Sequence, residues 1–189
     1  MKKPVMILAD FDDTLIKTDS FAGMMKKEKW YLNPAILKAG VFLAFAKVLK
    51  KNEIPARNRM KYLLLQKYME LPVEKKNTYA EWFRSQINHE VIQEINQCPH
   101  DLLVIISASE AGLIRNVLSD VLACDMIIAN ELGSDSVSFR TCYGEEKVRR
   151  LKDCFPEPEK YDIIVWTDSE SDRPIMNLAR EVHLVRSTK

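Results

Sequence analysis

Glycine is scarce in this 189-residue chain: there are five in all, and none forms the closely spaced run that cradles a nucleotide phosphate. The four cysteines, Cys98, Cys124, Cys142 and Cys154, have no CxxC spacing. That excludes a zinc knuckle or dithiol redox motif and leaves reduced thiols as the expectation. Charge of one sign is also missing, with 28 basic side chains against 27 acidic and a net charge of +1. No electrostatic case for nucleic-acid binding follows. There is no internal repeat, no low-complexity tract, and no apolar run of the roughly twenty residues needed to span a bilayer. Met1-Lys2-Lys3 followed by apolar residues imitates a secretory signal, but Asp10 ends the run too early for one. The cytoplasm is the expected location.

What is present is ordinary soluble composition, 47% hydrophobic and 29% charged, in a length that buries one sizeable core with room for a small accessory module. The informative segment is Val5-Met6-Ile7-Leu8-Ala9, a continuously apolar run that reads as a short buried strand and stops abruptly at Asp10. The chain continues Asp10-Phe11-Asp12-Asp13-Thr14-Leu15. Asp10 and Asp12, two apart in an extended stretch, point the same way and crowd their charges, which favours a nearby cation. Taken alone, the segment has a lesser reading as a solvated acidic turn.

Later segments repeat the pattern of an apolar run ending in a reactive group. Residues 102–106 end at Ser107, and residues 162–167 end at Asp168, with Asp172 four residues on. Lys147 lies near the start of a helix running to Cys154. Strands are expected over 102–106, 126–129, 163–167 and 182–185, alternating with helices, which argues a parallel α/β sheet. Ser109 is placed to cap a helix over 110–122, whose N-terminal amides would attract phosphate. Residues 130–142 read as a hairpin or an excursion. Between 18 and 97 the periodicity is helical. Helices are expected from Ser20, from Asn33-Pro34 through 51, from Pro55 through 71 and from Pro72 to about 88. Residues 35–49 are apolar on nearly every face, which fits a helix buried against its neighbours or one that docks on lipid. His89, His100 and His183 show no ligand spacing.

The ordered pieces DFDDTL, ISAS, CYGEEKVRRL and WTDSESDRPIM resemble the four motifs of the haloacid dehalogenase superfamily, and among its branches the phosphoserine-phosphatase-like one. The resemblance spans the chain. It implies a Rossmann-like three-layer parallel-sheet core over 1–17 and 98–189, with an all-helical cap inserted over 18–97. It further implies a Mg2+-dependent phosphatase acting on a small-molecule phosphomonoester through an aspartyl-phosphate. In that scheme Asp10 is the nucleophile and Asp12 the general acid/base, since a halide leaving group would need no proton donor there. Thr14 orients the loop and Asp12, while Ser107 and Lys147 neutralise the phosphoryl group. Mg2+ is held by Asp10, Asp168 and the carbonyl of Asp12, with Asp172 as ligand or support.

Asp19 stands where those enzymes meet the substrate amine with a longer glutamate, and Ser107-Ala108-Ser109 replaces their Ser-Gly-Gly, so phosphoserine itself is disfavoured. Arg59, or its neighbours Arg57 and Lys61, is expected to meet a second anionic group. Asp13 and Thr167 depart from the family pattern and are expected to stay outside the chemistry. Two other functions remain open: a lipid-phosphate phosphatase working at a membrane surface through 35–49, and a non-catalytic phospho-regulated binding module. Oligomeric state is left open.

Overall fold

The computed structural model describes residues 2–49, 51–133 and 135–186. Five strands form one parallel sheet in the order β3-β2-β1-β4-β5: β1 (Val5–Ala9), β2 (Leu102–Glu110), β3 (Met126–Asn130), β4 (Asp162–Thr167) and β5 (Glu181–Leu184). β1 lies at the centre, with Ile7 opposite Leu103 on one side and Ile164 on the other. Its uninterrupted apolar sequence follows from burial on both faces, the usual condition of parallel strands covered by helices. Alternation then divides the side chains. Ile7, Ala9, Leu103 and Ile105 join one core, and Met6, Leu8, Val104 and Ile106 join the other.

Among the described residues there are eight α-helices, besides four short helical turns: α1 (Ser20–Lys27), α2 (Pro34–Val48), α3 (Ile54–Met69), α4 (Val73–Arg84), α5 (His89–Gln97), α6 (Ala111–Leu118), α7 (Glu145–Cys154) and α8 (Arg173–Met176). The expected start of α2 is observed: Asn33 accepts from the amides of Ala35 and Ile36, and Pro34 opens the first turn. The helix expected from Pro72 to about 88 ends early, at Arg84, and a further helix, α5, follows from His89. The break at 85–88 is tertiary in origin, because Lys17 N donates to Gln86 O, Asn88 N donates to Leu15 O, and Ile87 bridges Ile16. Residues 131–141 contain no strand among those described, so this stretch is an excursion and not a hairpin.

The segment between β1 and β2 does two things. Its first helices stand at the sheet's C-terminal edge, while α4 and α5 rest against the core. Arg84 donates to the carbonyl of Asn116 in α6, and Glu94 on α5 accepts from the Trp166 indole. Three layers result, with α7 and α8 (Leu151, Ile175) covering the opposite face of the sheet. In chain order the strands run outward from β1 through β2 to β3 and then return to its other side with β4. This reversal opens a crevice at the C-terminal end of β1.

Ile7, fully buried in the central strand, is the position where the fold is least able to absorb a cavity. Ile7→Ala is expected to cost about 2–5 kcal/mol, read as a lower urea midpoint at unchanged slope. A loss below about 1 kcal/mol would contradict the central placement of β1.

Candidate active site

At the end of β1 the backbone turns so that carboxylates two residues apart meet different surroundings. Asp10 N donates to Trp166 O at 3.0 Å, pinning this residue to β4. Its Oδ1 accepts from Phe11 N at 2.7 Å, and its Oδ2 lies 3.1 Å from Lys147 Nζ. The chain is extended at Asp12 and then enters the left-handed region at Asp13, φ 52°, a conformation that Asp and Asn tolerate better than most residues. Thr14, wholly buried, accepts from Asp168 N at 3.1 Å and so ties the β1 and β4 loops together. The partner is Asp168 and not the expected Asp12, since the side chain of Thr14 points toward β4.

Asp12 is held by other donors. Ser20 N, the first amide of α1, donates to its Oδ1 at 2.9 Å, and Ser109 Oγ donates to its Oδ2. The hydroxyls of Ser20 and Ser109 are themselves 2.6 Å apart. Burial, followed by the charge of Asp19, raises the Asp12 carboxyl to about 7 against the opposing pull of Lys61 and these hydrogen bonds.

Lys147 is almost completely buried at the start of α7 and donates to Asp172 Oδ2 at 2.7 Å. Burial alone would push its ammonium down, but Asp10 and Asp172 together push it further up, so it stays charged. Thr167, expected outside the chemistry, donates to Asp172 at 2.8 Å and so fixes that carboxylate under the site. Asp172 Oδ1 is buried without a hydrogen-bond partner. Burial, then Asp10 and Asp13, raises Asp168 to about 6.

The crowding indicates a site with more negative charge than one ammonium balances. Among the described residues no three acidic, His or Cys side chains converge as a full metal cage. The donor set is a pair of carboxylates, Asp10 and Asp168, beside the Asp12 backbone, with the orphaned Asp172 oxygen behind. This suits a hard divalent cation that keeps several waters, as Mg2+ does.

These groups surround a cleft of about 230 Å3. Of the residues singled out in the sequence, Asp10, Asp12, Asp19, Ser107, Ala108, Lys147, Asp168 and Asp172 line it, and so does Asp13, which was expected to stay outside the chemistry. Thr14 and Ser109 stand behind its wall, bonded to Asp168 and Asp12. Asp19 also caps α1 through Ala22 N at 2.7 Å. Ser107 Oγ accepts from Ser109 N at 3.2 Å, and Ala108 O accepts from the amide of Asn130 at 2.5 Å.

Two expectations are corrected. Arg59 is exposed and does not line the cleft, whereas Arg57 and Lys61 do. Positions 57 and 61 lie one turn apart on one face of α3, and 59 lies round the other side. Ser109 caps no helix, because β2 extends through Glu110. Glu110 caps α6 itself, its carboxylate accepting from Leu113 N at 2.6 Å. With that carboxylate already at the helix end, this N-terminus is not the phosphate site.

Sequence reasoning missed Thr141, Tyr143, Ser169 and Ser171, which also line the cleft. Tyr143 had a visible signal, an aromatic next to Gly144, whose φ of 57° sets the entry into α7. Arg57 lies over the Tyr143 ring, 3.8 Å from its centroid, and Asn58 accepts from Thr141 N at 2.9 Å. A larger cleft of about 530 Å3 between α5 and β5 includes Asp13 but gathers none of the other acidic, hydroxyl or ammonium groups of the four motifs.

A sequence profile of the haloacid dehalogenase-like hydrolases matches residues 7–177. The chain belongs to that family. No curated protein matches it. Among solved structures, a Bordetella pertussis Tohama I protein described as of unknown function superposes with a TM-score of 0.70 at 15% identity, over 96% of this chain and 89% of that one. A substrate-bound phosphoserine phosphatase complex has a TM-score of 0.57 at 17% identity, over 96% and 86%. A phosphoserine phosphatase described as a phospho-aspartyl intermediate analogue has 0.56 at 18%, again over 96% and 86%. These likenesses establish a shared haloacid dehalogenase-like fold.

The buried triad of this hydrolase makes a measurable prediction. Lys147→Met leaves Asp10 and Asp172 facing each other uncompensated and is expected to cost about 3–5 kcal/mol at pH 7. Adding Asp172→Asn should restore a good part of that loss. A double-mutant cycle in urea checks it, and strict additivity would mean that the two side chains are not coupled.

Proposed function

We propose that the protein is a Mg2+-dependent phosphatase that hydrolyses a small-molecule phosphomonoester through an aspartyl-phosphate on Asp10. The observation that carries this reading is the unequal wiring of two neighbouring carboxylates. Asp10 is paired with the Lys147 ammonium, whereas Asp12 is held among a hydroxyl and an amide with its carboxyl raised to about 7. A nucleophile and a proton donor have these opposite requirements.

In the first step an Asp10 oxygen attacks phosphorus, the phosphorus–oxygen bond to the alcohol breaks, and Asp12 gives its proton to the leaving oxygen. In the second, Asp12 takes a proton from a water that attacks the aspartyl-phosphate, releasing phosphate and restoring Asp10. Lys147 and Ser107 offset the negative charge of the transferring group, and Ser109 and Ser20 keep Asp12 in place. Asp10, Asp168 and the Asp12 carbonyl would hold Mg2+, with Asp172 as ligand or support. Bound there, the ion would supply the positive charge that lets an anionic carboxylate approach an anionic phosphoryl group.

Residues 18–97 form the cap in this reading, and α3 supplies its recognition face. Arg57 and Lys61 line the mouth, and the Arg57 Nε is buried without a hydrogen-bond partner. An unpaired buried donor favours a substrate carrying a second anionic group. Asp19, across the mouth, remains available to a substrate amine through the oxygen not used in capping α1.

Phosphate release from a panel of phosphomonoesters tests the proposal. Asp10→Asn should abolish release, Asp12→Asn should lower kcat by about 10²–10⁴, and chelation should silence the wild type. Release that survives Asp10→Asn would rule out the aspartyl-phosphate, while tight phosphate binding without turnover would favour a binding module. Arg57→Ala and Lys61→Ala should raise KM for doubly anionic substrates with kcat largely kept. Separately, saturating Mg2+ at about a hundred times its Kd should stabilise the wild type by about 2.7 kcal/mol, a gain absent in Asp168→Ala.

A further inference from the structure

The most apolar surface of the molecule plays no part in the chemistry above. Among the described residues, most of the exposed large apolar side chains fall between Tyr31 and Ile54, on α2 or beside it. Leu37, Val41, Phe45 and Val48 recur at helical spacing on one face of α2, and Phe45 and Val48 are 63% and 79% exposed. α2 packs against α3 through its other face, where Ile36 and Ala39 are buried and Gly40 sits against Met60. A helix covered on one side only normally turns polar groups to water on the other. α2 does not.

The charge pattern indicates what covers this face. From Lys29 to Asn52 there is no acidic residue, and every charged side chain is a lysine. Glu28 and Glu53 bound the segment, and both are already ion-paired, with Lys75 and Arg57. Tyr31, 44% exposed, stands just ahead of α2, an aromatic of the kind that settles at a membrane–water boundary. We propose that α2 lies in the surface of an anionic phospholipid bilayer, its apolar face among the acyl chains and its lysines at the headgroups. Fifteen residues give about 22 Å of helix, too short to cross a bilayer and suited to lying in its plane. No helix among the described residues is long and apolar enough to span. A second copy of the chain fits less well, because a two-fold contact centred on α2 would bring lysine to lysine with no carboxylate in the segment to pair.

Docking there brings the cleft to the lipid. α3, against which α2 packs, carries Arg57 and Lys61, and Ile54 at its start lines a groove of about 250 Å3. Thr141 and Tyr143 line both this groove and the cleft, so the two are contiguous. If the phosphatase reading above holds, the substrate class is an amphiphilic phosphomonoester with its phosphate in the cleft and its apolar chain along the groove past Ile54.

Flotation of the full chain with phosphatidylcholine vesicles, with and without about one-third phosphatidylserine, tests the docking. The wild type should float with the anionic vesicles and at least about tenfold less with the neutral ones. Val41→Glu with Phe45→Glu should lose flotation by at least about tenfold while leaving phosphate release from a soluble ester unchanged. That control separates failure of docking from failure of the phosphatase reading, and circular dichroism verifies that the variant is folded. No flotation of the wild type, equal flotation of the variant, or a dimer that the double substitution dissociates without any lipid binding would overturn the proposal. Vesicles carrying phosphatidic acid test the substrate class. Release from them, reduced in the double variant, supports it, whereas release from soluble esters alone overturns it.

Discussion

One buried ammonium organises the mouth of this sheet. Parallel strands that end together also bring together whatever follows them, and here the ends of β1 and β4 are followed by Asp10, Asp12, Asp13, Asp168 and Asp172. Carboxylates so crowded would ionise only at a cost. Lys147 relieves two of them, contacting Asp10 and Asp172 from one nitrogen. The requirement reaches outward. α7 has to begin within reach of both strand ends, which the positive φ of Gly144 permits, and Asp172 has to stay turned toward the ammonium, which the Thr167 hydroxyl ensures.

The loops around that charge balance are joined more than they are packed. Thr14 connects the β1 turn to the amide of Asp168, and Asn130 bonds both to the carbonyl of Ala108 and to the amide of Cys142. Each bond spans a gap between strand ends that no ladder hydrogen bond covers. A rigid set of loops on a rigid sheet holds reacting groups within the narrow tolerance that phosphoryl transfer would need.

The parts of the fold set by local sequence were legible in advance. β1 and β4 read as unbroken apolar runs because both of their faces are buried, and Asn33-Pro34 opens a helix through capping that depends on no distant residue. The misreadings share one cause, which is that the deciding partner is remote in sequence. Ser109 looked like a helix cap until its hydroxyl met Asp12, ninety-seven residues away. The break between α4 and α5 depends on the 14–17 segment, and Thr167 gains its role only once Asp172 folds back beneath it. Arg59 was chosen over Arg57 because helical phase against a cleft cannot be set before the cleft exists. Asp10, Asp12 and Asp168 stood out as candidates because they follow strand ends, whereas Thr141 and Tyr143 reach the cleft from an excursion that carries no periodicity.

The sheet-borne and helix-borne residues of the cleft have separate supports. Asp10 is fixed by the end of β1 and by Lys147, and Asp12 by Ser109 and the Ser20 amide, while Arg57 and Lys61 project from a single face of α3, tied to the rest of the site through Asn58 and Tyr143. In evolutionary terms this makes the molecule modular. On the reading proposed above, exchanging two side chains one turn apart on α3 would change which compound is admitted while the buried charge balance stays intact. The 15–18% identities among matching folds show how far sequence diverges while this architecture persists.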